Sequence, residues 1–153
     1  MIGLLGTAAT IRQGYVDRLE SEFARDKRLI RHAAPELVAA AEAVLRGEKP
    51  DPAVFADAAA GLRSQHEGEE IDTVVLACTH FPLVEGQLHA ALGTNVAFVH
   101  GAEGIARRIV WLTQGQQFDR EIPDFALFTG DPDQFATLLP ALSTYGLDHA
   151  ERF

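Results

Sequence analysis

A thiol, a hydroxyl and an imidazole stand in a row at Cys78-Thr79-His80, between the apolar run Val74-Val75-Leu76-Ala77 and Phe81-Pro82-Leu83. Each can do chemistry. A thiolate is a base and a nucleophile, an imidazole exchanges protons near neutrality, and a threonine offers a hydroxyl and an amide to an anion. A strand ending here, with a helix opening about three residues later, would set the thiol beyond the carboxyl end of a strand, where open α/β sheets bind ligands. The helix N-terminus would favour thiolate. Two plainer uses remain open at this point: a small apolar packing residue and a redox-sensing thiol. A histidine two residues from a cysteine is too close in sequence to imply a protease-like pair.

Two further features join the candidates. Gly6-Thr7-Ala8-Ala9-Thr10 is a small-residue loop that can present hydroxyls and amides to a carboxylate, or simply cap a helix through Thr7 and Thr10. Glu42 lies in a helical stretch after Pro35, and a solvated glutamate is its plain alternative. Glu36 is six residues away and does not share its helix face. No metal is expected. None of the six histidines (His32, His66, His80, His89, His100 and His149) has the i, i+4 histidine partner of a helical zinc pair, and one cysteine excludes a thiolate-rich site and an intrachain disulfide. Gly101-Ala102-Glu103-Gly104 fits neither glycine-rich phosphate loop, so no nucleotide cofactor is expected.

The elements that position these groups alternate between short apolar strands and amphipathic helices. Strands are predicted at 2–5, 28–32, 71–77, 95–99 and, last, 125–129. Helices are predicted along the stripe Ile11, Tyr15, Leu19 and Phe23, from Pro35 to Gly47, from Pro52 to about Gln65, and from Phe81 to Gly93. Two more run from Ala102 to about Gln114, with Ile105, Ile109 and Leu112 inward, and from Pro132 to Leu142. The nearly unbroken apolar run at 71–77 predicts a strand covered on both faces. The pattern is that of an α/β fold with a parallel sheet. Residues 113–123 read as a long polar loop.

The chain has 153 residues, enough for one core of reasonable size, and a formal charge of −9. That charge disfavours nucleic acid and anionic membrane surfaces as partners. No apolar run approaches the ~20 residues of a membrane helix, and the start lacks the shape of a signal peptide, so a cytoplasmic location is expected.

Leu4-Leu5-Gly6-Thr7-Ala8-Ala9-Thr10-Ile11 with Tyr15, and Asp72-Thr73-Val74-Val75-Leu76-Ala77-Cys78-Thr79-His80-Phe81-Pro82-Leu83, resemble the aspartate/glutamate racemase family. The second stretch matches the block around that family's second catalytic cysteine. Pro35-Glu36-Leu37-Val38 with Glu42, Ala102 to Arg108 and, more loosely, Phe128 to Pro132 extend the match over most of the chain. The resemblance implies a cofactor-independent inversion of an acidic amino acid, glutamate or aspartate, with D-glutamate feeding peptidoglycan synthesis. Two cysteines work from opposite faces of the substrate. It implies Cys78 as one acid/base, His80 assisting it, Glu42 orienting His80, and Thr7, Thr10 and Thr79 binding the substrate's charged groups. It also implies one racemase-type domain over 1–98 and a piece of the second domain over 99–153.

The departures are specific. The family's Asp-Ser-Gly segment and first catalytic cysteine have no counterpart here, Ala34 stands where cysteine is common, and His100 where many members have aspartate. The expectation is a chain holding the second part of a racemase, inactive by itself. The rival expectation is a non-catalytic racemase-fold module that binds a partner or forms a homodimer through the apolar residues of 100–153.

Overall fold

The computed structural model describes residues 1–12, 14–119, 121–131 and 135–153. Four strands, β1 (Ile2–Gly6), β2 (Leu29–Ala33), β3 (Thr73–Leu76) and β4 (Ala97–Val99), form one parallel sheet in the order β2-β1-β3-β4. That order matters for the site. The chain steps from β1 outward to β2, crosses back past β1 to β3, and continues to β4. The winding direction therefore reverses between β1 and β3, and a crevice opens beyond the carboxyl ends of strands at such a reversal. Register pairs Leu5 with Leu76, and the Ala77 N–H donates to the Leu5 carbonyl at 2.8 Å, extending the ladder to the edge of that crevice.

The main core lies on one face of the sheet. Leu5, Val74 and Leu76 pack there with Leu37 and Ala41 of α3 (Glu36–Leu45), Phe55 and Leu62 of α4 (Pro52–Arg63), Leu88 of α5 (Glu85–Leu92), and Phe81. Local chemistry starts these helices where the sequence suggests. Asp51 caps α4 by accepting from the Ala53 N–H at 2.9 Å, with Pro52 in the first turn, where its missing N–H costs nothing.

Alternation along the strands turns Leu4, Arg31 and Val75, which are in register, to the other face. There α1 (Ala8–Ile11) is followed by α2 (Gly14–Phe23). Arg31 reaches Asp17 at 2.6 Å and Glu20 at 2.5 Å, and Val16 is buried. The hydrogen bond that Arg31 donates to Asp17 raises its guanidinium above its usual range. The predicted stripe Ile11, Tyr15, Leu19 and Phe23 does not face the core, because Arg12 closes α1 and a new helix starts at Gly14, which resets the phase. Tyr15, Leu19 and Phe23 are exposed, while Val16, Asp17 and Glu20 carry the contacts.

Coverage of that second face ends near β1. Val75 is only half-buried and Val99 is 51% exposed, so β3 is sealed on one face rather than two. Helix α6 (Ala102–Leu112) has no buried residue. Ile105, Ile109 and Leu112, expected inward, are 61%, 55% and 56% exposed, because no other element among the described residues packs over them. Beyond the loop, β5 (Ala126–Phe128) and β6 (Ala150–Arg152) form a parallel pair of their own. The strand β6 was not expected, since Ala150-Glu151-Arg152 has no apolar signal. The last described helix, α7 (Leu139–Ser143), follows a 3₁₀ turn at Ala136–Leu138, and Pro132, the start predicted for the last helix, lies outside the described residues.

Candidate active site

Strand β3 delivers Cys78 two residues past its end, half-buried and outside any disulfide. A tight turn follows, in which the Phe81 N–H donates to the Cys78 carbonyl at 3.2 Å and the Leu83 N–H to that of His80 at 3.1 Å. Phe81 is fully buried beneath the turn and ties it to the core. The helix expected to open here is instead a four-residue 3₁₀ turn, Phe81–Val84, and α5 proper begins only at Glu85. No long helix dipole therefore points at the sulfur, and the polar groups within its reach are neighbouring side chains.

Those neighbours form a line. Cys78 Sγ lies 4.0 Å from His80 Nδ1, at the outer reach of a sulfur hydrogen bond, and His80 Nε2 lies 3.2 Å from Glu42 Oε1. Glu42 Oε2 in turn accepts from Arg46 Nη1 at 3.2 Å. An ionised carboxylate only accepts, so a neutral ring that donates Nε2–H to Glu42 would turn its Nδ1 lone pair toward the sulfur. This arrangement can take the thiol proton and return it.

The cleft beside Cys78 has a volume of about 560 Å³, within the range of small-ligand sites. Cys78, Thr79 and His100 line it together with Pro82, Ile105 and Ile109. Thr79 is exposed and shares the cleft with the sulfur. Thr7 and Thr10 lie past the end of the neighbouring strand β1, on the other side of the winding reversal. There Thr7 caps α1 by accepting from the Thr10 N–H at 3.4 Å, and the two hydroxyls are 3.2 Å apart. The structure thus aligns Cys78, His80 and Glu42, adds Thr79 to the same cleft, and leaves Thr7 and Thr10 paired with each other outside its lining.

Two residues escaped the sequence reading as site members. His100 was seen only as a departure from a family pattern, yet it follows β4 as Cys78 follows β3 and lines the cleft. Arg46 carried a usable signal, a glutamate four residues ahead of an arginine on one helix. Among the described residues, no group of three or more metal-ligating side chains forms a metal site.

No family model matches the chain. Over 152 residues it is 51% identical to the glutamate racemase of Sphingopyxis alaskensis, a match that takes in 99% of this chain and 57% of that protein. The chain is a partial homologue of glutamate racemase. The glutamate racemase of Sodalis glossinidius is 36% identical over 155 residues, which take in 95% of this chain and 51% of the relative. Among solved structures, the Escherichia coli glutamate racemase in complex with L-glutamate and the activator UDP-MurNAc-Ala superposes with a TM-score of 0.88 at 30% identity, over 99% of this chain and 57% of that one. A glutamate racemase isoform from Bacillus anthracis shares the fold, with a TM-score of 0.77 at 22% identity. The chain spans little more than half the length of the glutamate racemases it matches.

Proposed function

We propose that this chain is the part of a cofactor-independent glutamate racemase that handles one face of the substrate's α-carbon. The Cys78 thiolate takes the α-proton. The electrons of the C–H bond pass into the α-carbon and its carboxylate as an enediolate, and the sulfur becomes a thiol; return of the same proton reverses the step. His80 accepts and returns the thiol proton, Glu42 holds His80, and Thr7, Thr10 and Thr79 bind the substrate's charged groups. An α-proton is a very weak acid, so donors around the carboxylate must stabilise the developing charge. Inversion needs a second acid on the opposite face. The chain has one cysteine, so that group comes from outside it, and residues 1–153 alone do not invert. In this reading 1–98 form the domain bearing Cys78, and 99–153 belong to a second domain. Glutamate is preferred over aspartate, and D-glutamate is supplied to peptidoglycan synthesis in the cytoplasm. No helix among the described residues is long and apolar enough to cross a membrane.

The observation that carries the reading is the line Cys78–His80–Glu42 at the edge of a cleft beside the winding reversal. Proton NMR in deuterium oxide, with circular dichroism of L- and D-glutamate, tests it. The expected result is α-proton exchange of one enantiomer without inversion, abolished in Cys78→Ser. Inversion by the 153-residue chain would refute the single-thiol argument. Absence of exchange, with Cys78 alkylated equally fast with and without glutamate, would sink the racemase reading.

A second reading, a non-catalytic module that forms a homodimer, is favoured by one observation. Ile105, Ile109, Val110, Trp111 and Leu112 are all more than half exposed on one helix. Light scattering that finds only monomer at high concentration would remove it.

A further inference from the structure

We propose that Arg46 is a positioning residue of the Cys78 site, clamping one oxygen of Glu42 so that the other is held against His80. The inference rests on the reading of Cys78 and His80 as a proton-transfer pair, and it concerns what keeps that pair in register.

Glu42 is a loose anchor by itself. Its side chain is 43% exposed, and a carboxylate on two methylenes that open to water samples several rotamers. Arg46 removes that freedom. It closes α3 one turn beyond Glu42, with its N–H donating to the Glu42 carbonyl at 3.1 Å, so the spacing of the two side chains is set by the helix itself. Its guanidinium donates through Nη1 to Glu42 Oε2 and through Nε to Glu48 Oε1, each at 3.2 Å. A planar fork gripped by two carboxylates has little room to rotate. Each Glu42 oxygen then has one partner, Arg46 for Oε2 and His80 for Oε1.

The consequence lies in the imidazole. With Oε1 fixed, the proton stays on His80 Nε2 and the Nδ1 lone pair faces Cys78 Sγ. Without Arg46, Glu42 swings into solvent and the ring redistributes its proton. An Nδ1–H facing the sulfur cannot accept the thiol proton. Fold stability is nearly indifferent, because exposed i, i+4 ion pairs contribute little, so a change at His80 would report orientation rather than unfolding.

The test uses the ¹⁵N-labelled chain, with His80 assigned through His80→Gln and observed while neutral. The expected wild-type pattern is a protonated Nε2 and an unprotonated Nδ1. In Arg46→Gln the two nitrogen resonances should move toward each other, and alkylation of Cys78 by iodoacetamide should slow by roughly fivefold, well short of losing the base itself. Arg46→Lys, one donor without the fork, should restore part of both, and thermal midpoints should stay close to wild type. Unchanged His80 nitrogen resonances in folded Arg46→Gln would overturn the proposal. If those resonances move but Cys78 alkylation ignores His80→Gln, the positioning role stands and the proton-transfer reading fails.

Discussion

Residues 1–99 and residues 100–153 solve the problem of burial differently. Every buried hydrophobic side chain, from Leu4 to Val96, belongs to the first region, and among the described residues the second has none. The first region owns a core in which α3, α4 and α5 close one face of a parallel sheet. The second presents a helix with apolar residues in the open and a separate two-stranded pair. The cleft lies where the two meet, with chemistry from β3 on one wall and α6 on the other. Stability resides in one region, while the shape of the cleft depends on both. Helix α6 has little to hold it unless something covers its exposed side.

The largest effect should come from the core side of that contrast. Phe81→Ala removes a fully buried ring beneath the Cys78 turn and should cost about 3–5 kcal/mol, whereas Ile109→Ala should stay within ~0.5 kcal/mol. Urea denaturation of both variants checks this, and similar losses would break the comparison. Gly68→Ala comes next, at about 2 kcal/mol, since a Cβ there would sit 2.4 Å from the Leu62 carbonyl oxygen and 2.6 Å from that of Arg63. Arg31→Ala unties α2 from β2 and should cost about 1 kcal/mol, with faster amide exchange confined to α2. Exchange across the wild-type chain should separate the two regions directly, with the amides of β1 and β3 slowest and those of α6 fast.

The smallest effect concerns pH. The Asp72 carboxyl is held below its usual range, first by the hydrogen bond from the Thr73 hydroxyl at 2.7 Å and then by the Met1 ammonium at 3.0 Å. A depressed carboxyl stabilises the fold above its unfolded value and loses that contribution as pH falls through the folded one. Asp72→Asn should therefore lower the thermal midpoint slightly at neutral pH and match wild type in acid. Equal differences at both pH values would show that the carboxylate charge plays no part.

Much of the fold was legible in the sequence because its signals are local. The apolar run before Cys78, Pro52 behind Asp51, and the stripe containing Leu37 and Ala41 each declare an element within a few residues. The Ile11–Phe23 stripe misled because periodicity assumes one unbroken helix, and the turn at Arg12 breaks it. The inward reading of Ile105 and Ile109 failed for a different reason. An apolar face states a need for a partner but does not provide one.

By itself the sequence determined the β–α alternation, the thiol at a strand end and the hydroxyls after β1, since each depends on neighbours along the chain. Only the tertiary structure decided that β1 and β3 lie side by side at the winding reversal, that Glu42 meets His80 across 38 residues of chain, and that one sheet face is left partly open. The physical reason is that strand order and helix packing join segments distant in sequence. Spacing along a chain says which residues share a face, but nothing about which faces will meet.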